Sequence, residues 1–263
     1  MERKTESVRR GFNRSVAEWG GYILVLIFAT TAIAQPYVIP TGSMESTLLV
    51  GDHVIVDKLA YAPAGGGLGS HLLPFQEPKH GDIIVFRYPP DINQTLVKRL
   101  IGVPGDHIRI THGNVYRNGI CLHEPYVVHK PGYVPEADNF PGECCLLGGT
   151  PEGEQRQREM LARNVVNGEL VVPPGMYFGM GDNRDDSLDS RYWGFIPRDS
   201  LMGKPVLVYW SYDASTEDLL GQSASSVIAH AIDLGEHFFT RTRWSRSLRV
   251  VRGVPDSVTE RTN

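Results

Sequence analysis

Three short blocks of this chain carry side chains able to do chemistry together. The first is Ile39-Pro40-Thr41-Gly42-Ser43-Met44-Glu45-Ser46-Thr47-Leu48. Proline fixes φ and glycine permits tight or left-handed geometry, so the backbone can turn sharply and expose the Ser43 hydroxyl. Taken alone, the block fits a serine capping a short helical turn equally well. The second block runs from Leu96 to Asp106. In a strand, Leu96, Lys98 and Leu100 share one face. An amine between leucines is costly to keep charged and tends to shed its proton. A neutral lysine can take the proton of a serine hydroxyl. Taken alone, Lys98 also suits an edge strand, where lysine discourages aggregation. The third block, Met180 to Phe195, interleaves Asp182, Arg184, Asp185, Asp186, Asp189 and Arg191 around Ser187. It fails as a calcium loop, because Arg184 stands at a ligand position and the required glycine is missing. The alternation suits a network of ion pairs and hydrogen bonds that supports a site, or an exposed ion-paired loop.

All three blocks, in this order, resemble type I signal peptidases, the Ser/Lys proteases that remove signal peptides from exported proteins. The serine motif is similar at Gly42-Ser43-Met44, Thr47-Leu48 and Gly51-Asp52. The first core strand is similar at 81–86, and the lysine motif at Lys98-Arg99, Gly102 and Pro104-Gly105-Asp106. The third motif is similar at 181–185, Ser187, 189–191 and Trp193-Gly194, and a further segment at Asn118-Gly119 and Glu124-Pro125-Tyr126. The likeness covers about 36–129 and 171–212. It departs at Ser46, where the family commonly has proline; that loosens the turn after the serine and removes no reacting group.

The resemblance implies Ser43 as nucleophile and Lys98 as general base, a variant of triad logic. It implies that Ser187 orients the Lys98 amine and that Thr41 helps the Ser43 N–H stabilise an oxyanion. Asp182, Arg184, Asp189 and Arg191 would support the site, and Met44 would wall a pocket for small side chains. It further implies an extended substrate with small residues at −1 and −3 beside an edge strand. The partners are signal-peptide-bearing preproteins and a lipid bilayer, with no cofactor, no metal and no nucleic acid. The chain is expected to act as a monomer.

The elements that must position these residues are mostly strands. Residues 53–59, 81–86, 95–103, 108–110, 115–116, 169–172, 176–180 and 204–212 are rich in β-branched and apolar residues between Gly, Pro and Asn turn signals. Residues 62–69 read as a loop. Residues 152–164 and 223–239 read as helices. The expected fold is therefore mostly β. An N-terminal transmembrane helix leads into an antiparallel β catalytic domain with a smaller inserted β/loop subdomain at about 130–168.

Residues 19–39 contain no charged side chain, long enough to cross a bilayer core of roughly 20 residues in helix. Ahead of them lie Arg3, Lys4, Arg9, Arg10 and Arg14, so by the positive-inside rule residues 1–18 stay cytoplasmic and 40–263 are exported. The expected location is the cell (inner) membrane, with the catalytic domain on the outer, periplasmic side. The same residues also describe a secretory signal cut after Ala32-Ile33-Ala34. That reading leaves an exported β-rich binding domain as the alternative. A soluble self-cleaving regulator is disfavoured by the apolar stretch and by the lack of a DNA-binding segment.

Of 263 residues, 41% are apolar, enough for one sizeable core, and a net charge of −4 speaks against a general nucleic-acid binder. Cys121, Cys144 and Cys145 are an odd set, so at least one thiol stays unpaired within the chain, and their spacing suits no zinc site. The C-terminal 213–263 carries no legible role, and its basic run 241–246 reads as a solvated face.

Overall fold

The computed structural model describes residues 15, 18–27, 30, 33–61, 76–134, 138–142, 150–221 and 223–254. The loop read at 62–69, the basic flank at 3–14, and Cys144 and Cys145 lie outside them.

Two antiparallel sheets make up the body. The larger is built from β1 (Ala34–Val38), β2 (Asp52–Asp57), β3 (Ile83–Tyr88), β4 (Asp91–Gly102), β10 (Met176–Met180), β11 (Ile196–Pro197) and β12 (Leu201–Ser211), in the order β1-β2-β12-β3-β4-β10-β11. A last short strand, β13 (Arg249–Val250), pairs with β12. The smaller sheet has the order β7-β6-β5-β9-β8, from β5 (His107–Thr111), β6 (Asn114–Arg117), β7 (Ile120–Cys121), β8 (Val165–Val166) and β9 (Glu169–Val171). Among the described residues, the excursion at 130–168 thus supplies one strand, β8, to a sheet that already begins at His107.

Alternation builds the larger sheet: β2 buries Val54 and Val56 and turns His53, Ile55 and Asp57 partly outward. Val54 and Val56 join Ile39, Met44, Leu48, Ile83, Val85 and Val208 in one cluster. A second cluster holds Ile84, Phe86, Leu100, Tyr177 and Trp193 on the other face of β3 and β4. A third fills the smaller sheet with Ile108, Ile110, Val115, Leu170 and Phe178. Helix α1 (Pro151–Asn164) covers that cluster with Met160. Its start is specified locally: Thr150 accepts from the Gly153 N–H, Pro151 opens the first turn, and Glu152 and Glu154 face the positive helix end.

The apolar stretch 19–39 is not one helix. Residues 18–27 are helical, but Ala34–Val38 is strand β1, in register from Ala34↔Asp57 to Val38↔His53. Pro36 is tolerated because β1 is an edge strand with one side free of ladder bonds. No helix among the described residues is long and apolar enough to cross a membrane.

The basic run 241–246 is not a solvated face. Arg241 pairs with Asp233 at 2.7 Å, and Arg246 pairs with the fully buried Asp52 at 2.5 Å. Arg243 donates to the Ser211 hydroxyl and to the Val50 and Tyr212 carbonyls. Arg243 and Arg246 clamp the C-terminal segment onto β2, β12 and the turn after Ser43.

Candidate active site

Successive strand side chains point to opposite faces, so β4 presents Lys98 and Arg99 to different surroundings. Lys98 is 3% exposed and Ser43 8%, and the Lys98 Nζ donates to the Ser43 Oγ at 2.7 Å. Burial pulls the Lys98 amine down to about 8, partly offset by Asp189. Gly179 lies opposite: a Cβ there would come 3.3 Å from the Lys98 Cβ and 2.9 Å from the Ile196 Cδ1.

Ser43 sits within a 3-10 turn, Gly42–Met44, with Thr41 in extended conformation at its cap position, so Ser43 itself is not a cap. Burial of Met44 and Leu48 anchors the turn from below. Leu48 N–H bonds the Met44 carbonyl at 2.7 Å, and Asn183 N–H bonds the Ser43 carbonyl at 3.1 Å. The first N–H groups of a helical turn have no acceptor within it, so those near Ser43 can face an incoming oxyanion. The departure at Ser46 has a local replacement for ring rigidity: its hydroxyl donates to the Tyr126 carbonyl.

The supporting residues form three buried pairs. Asp182 accepts two bonds from Arg99, from Nε and Nη2 at 2.7 Å each, and a third from the Thr47 hydroxyl at 2.6 Å. Arg99 also lies over the Tyr126 ring, 3.9 Å from its centroid. Arg184 reaches Glu124 at 2.5 Å and the Gly181 carbonyl at 3.2 Å. Asp189 and Arg191 make a two-point pair at 2.9 Å, and Asp189 caps the short helix α2 (Ser190–Trp193). Burial pushes the Asp189 carboxyl up, but the Arg191 guanidinium holds it below its usual range. Arg99, Glu124, Thr47 and Asn183 complete this network but lie outside the site named from sequence. Arg99 stood in the lysine block and Glu124 in the quoted segment, yet only the fold brings them together.

Ser187 is near Ser43 but does not bond the amine. A Cβ on Gly181 would lie 2.3 Å from the Ser187 Oγ and 2.6 Å from the Ser43 carbonyl, so only glycine fits between them. The Ser187 hydroxyl is buried with no hydrogen-bond partner of normal geometry, though it is close enough to Asp189 to help hold that acid ionised.

Two connected hollows open at Ser43 and Lys98. A groove of about 600 Å³ is lined by Thr41, Ser43, Lys98, Ser187 and Leu188, among others. An apolar cavity of about 310 Å³ lies beside it, walled by Tyr37, Ile39, Met44, Val85, Leu96 and Leu220. The pairing of β10 with β4 runs only through Arg99 to Gly102. Among the described residues, β4 therefore has no strand on that side from Gln94 to Lys98, and an extended chain can add there.

A family profile described as signal peptidase, peptidase S26, matches residues 13–210. The chain belongs to this peptidase family. It is 33% identical over 201 residues to a protein from Pseudomonas fluorescens named signal peptidase I, covering 72% of this chain and 69% of the relative. A signal peptidase I from Aquifex aeolicus is 33% identical over 219 residues, covering 72% of this chain and 80% of the relative. A solved signal peptidase I from Enterococcus faecalis V583 is 32% identical with a TM-score of 0.36, covering 49% of this chain and 97% of that one.

Proposed function

We propose that this chain is a signal peptidase I that cleaves signal peptides from exported preproteins after small residues at −1 and −3. The observation that carries the mechanism is a buried lysine amine whose hydrogen bond goes to a serine hydroxyl 2.7 Å away. The Ser43 Oγ attacks the scissile carbonyl as the neutral Lys98 amine takes its proton. The N–H groups at the start of the turn, with Thr41 at the groove wall, receive the oxyanion. The Lys98 ammonium then protonates the departing amine, leaving an acyl-Ser43 ester. Lys98, neutral again, draws a proton from water, and hydroxide attack on the ester frees the signal peptide and Ser43. Ser187 orients the amine by a small rotation during this cycle. The cavity walled by Met44 and Leu220 takes a small side chain of the substrate, which lies as an added strand along Gln94 to Lys98.

The protein is anchored in the inner membrane through its apolar stretch, with the catalytic body on the outer side. Since β1 starts at Ala34, residues 19–33 remain for the span. Fifteen residues reach about 22 Å in helix, short of a core of about 30 Å. Such a segment thins the bilayer or lets flanking basic side chains snorkel. Sharing a bilayer with the substrate raises its effective concentration at the site. The alternative of a binding domain freed by cleavage after Ala34 is disfavoured by the strand itself. Ala34 pairs with Asp57 and the Ile33 carbonyl accepts from Lys58, so the cut would fall inside a bonded ladder.

The test is cleavage of a preprotein by the full chain in detergent. The protein is expected to release the mature product, and Ser43→Ala and Lys98→Ala each to slow it by about 10⁴-fold or more with the fold intact. Cleavage at the parental rate by the folded Ser43→Ala variant would sink the mechanism.

A further inference from the structure

The C-terminal segment carries an apolar surface that the reaction does not use. After β12 the chain forms α3 (Thr216–Leu220) and α4 (Ala224–Arg241), the latter capped by the Ser223 hydroxyl. At helical spacing, Val227, Ile228, Ala231, Ile232, Gly235, Phe238 and Phe239 fall on one arc of α4, and Ser226, His230, Asp233, His237 and Arg241 on the other. The polar arc faces the body: Asp233 accepts from the Tyr212 hydroxyl at 2.8 Å and His230 lies edge-on to the Tyr212 ring. The apolar arc faces outward, with Ile228 60% and Phe239 79% exposed. That is the reverse of a helix packed on a core.

We propose that α4 lies in the membrane interface, its apolar arc sunk into the headgroup and acyl boundary, as a second contact between this domain and the bilayer. Aromatic and basic residues continue the surface. Phe239 stacks on Trp244, itself exposed, and Arg249 and Arg252 are exposed with no carboxylate partner among the described residues. Apolar insertion beside aromatic rings and arginines suits an anionic lipid surface. A second copy is a poor occupant. Arg249 and Arg252 beside this face have no carboxylate partner among the described residues, and a two-fold contact would set them against their own copies. Position agrees as well, since Leu220 of α3 walls the same cavity as Tyr37 and Ile39, where the chain enters from its N-terminal apolar stretch. The inference rests on the proposed anchoring, and it gives a short anchor the added hold that it lacks.

The full chain is reconstituted in vesicles of phosphatidylethanolamine with phosphatidylglycerol and floated. Benzoylphenylalanine replaces either Phe239 or, on the polar arc, His237. Illumination is expected to join position 239 to lipid at least about tenfold more than position 237. In Ile228→Glu/Ile232→Glu, the lipid adducts at 239 are expected to fall about tenfold, while cleavage of a soluble peptide in detergent stays at the parental rate. Flotation with no lipid adduct at 239, with equal labelling at both positions, or with adducts to a second copy overturns the α4 contact alone. Failure to float overturns both the contact and the anchoring.

Discussion

Lys98 and Arg99 are neighbours on one strand, both cations, both buried, and they meet opposite environments. Arg99 has its charge matched: Asp182 accepts two of its N–H groups, the Gly81 carbonyl a third, and the Tyr126 ring covers its face. Lys98 has the Ser43 hydroxyl as its bonded partner, and the acid that acts on it most strongly, Asp189, is committed to Arg191. A buried cation with a bidentate partner stays charged and builds structure. A buried cation without one gives up its proton readily and is available as a base. The two faces of β4 thus separate support from reactivity by one residue step.

Removing the match on the Arg99 side should have the largest effect on the fold. Asp182→Ala leaves an uncompensated buried guanidinium and frees the Thr47 hydroxyl as well. It is expected to destabilise the domain by about 3–5 kcal/mol, read from denaturant unfolding. The double variant Arg99→Met/Asp182→Leu should recover most of that loss, because no charge is then stranded. A double variant as unstable as the single one would show that the pair is not the source of the cost.

The Lys98 side should respond with the opposite sign. Burial lowers its folded value to about 8 from 10.5, so between those pH values the native state binds fewer protons than the unfolded chain. Stability from this group therefore rises with pH across that window, and below about 8 the full penalty is present. Lys98→Met is expected to abolish cleavage and to stabilise the fold at pH 7 by up to about 3 kcal/mol. The parental rate should climb about tenfold per pH unit below 8 and level above it. A rate falling from pH 6 to 9 in a folded protein would count against Lys98 as the base.

Much of this contrast was legible in the chain, and the rest was not for definite reasons. Alternation in Leu96-Val97-Lys98-Arg99-Leu100 already put the two cations on different faces. The short-range pair Asp189–Arg191 lay in the interleaved pattern. The partners of Arg99 and Arg184 are 83 and 60 residues away in sequence, and only the sheet order brings them together. In sequence, strand β1 is indistinguishable from the end of a membrane span, because Tyr37, Val38 and Ile39 prolong an apolar run and apolar length does not separate a helix from an edge strand that follows it. The arginines at 241–246 looked solvated because their acceptors, Asp52 and the carbonyls of Val50 and Tyr212, become neighbours only after β12 pairs with β2.

The smallest expected effect sharpens the comparison most. Ser187 stands on the Lys98 side with a buried hydroxyl that lacks a partner of normal geometry, whereas Thr47 on the Arg99 side both donates to Asp182 and accepts from Arg99. Deleting a hydroxyl that has only a poorly aligned contact with Asp189 to lose costs little, so Ser187→Ala should change stability by less than about 1 kcal/mol. Thr47→Val should cost about 1–2 kcal/mol, since it leaves Asp182 and Arg99 each short of a partner. If Ser187 turns to the amine during the reaction, Ser187→Ala lowers kcat about tenfold, with KM unchanged and the rise towards pH 8 retained. An unchanged kcat would leave Lys98 oriented by burial and Ser43 alone, and would restrict the supporting role to the paired side of β4.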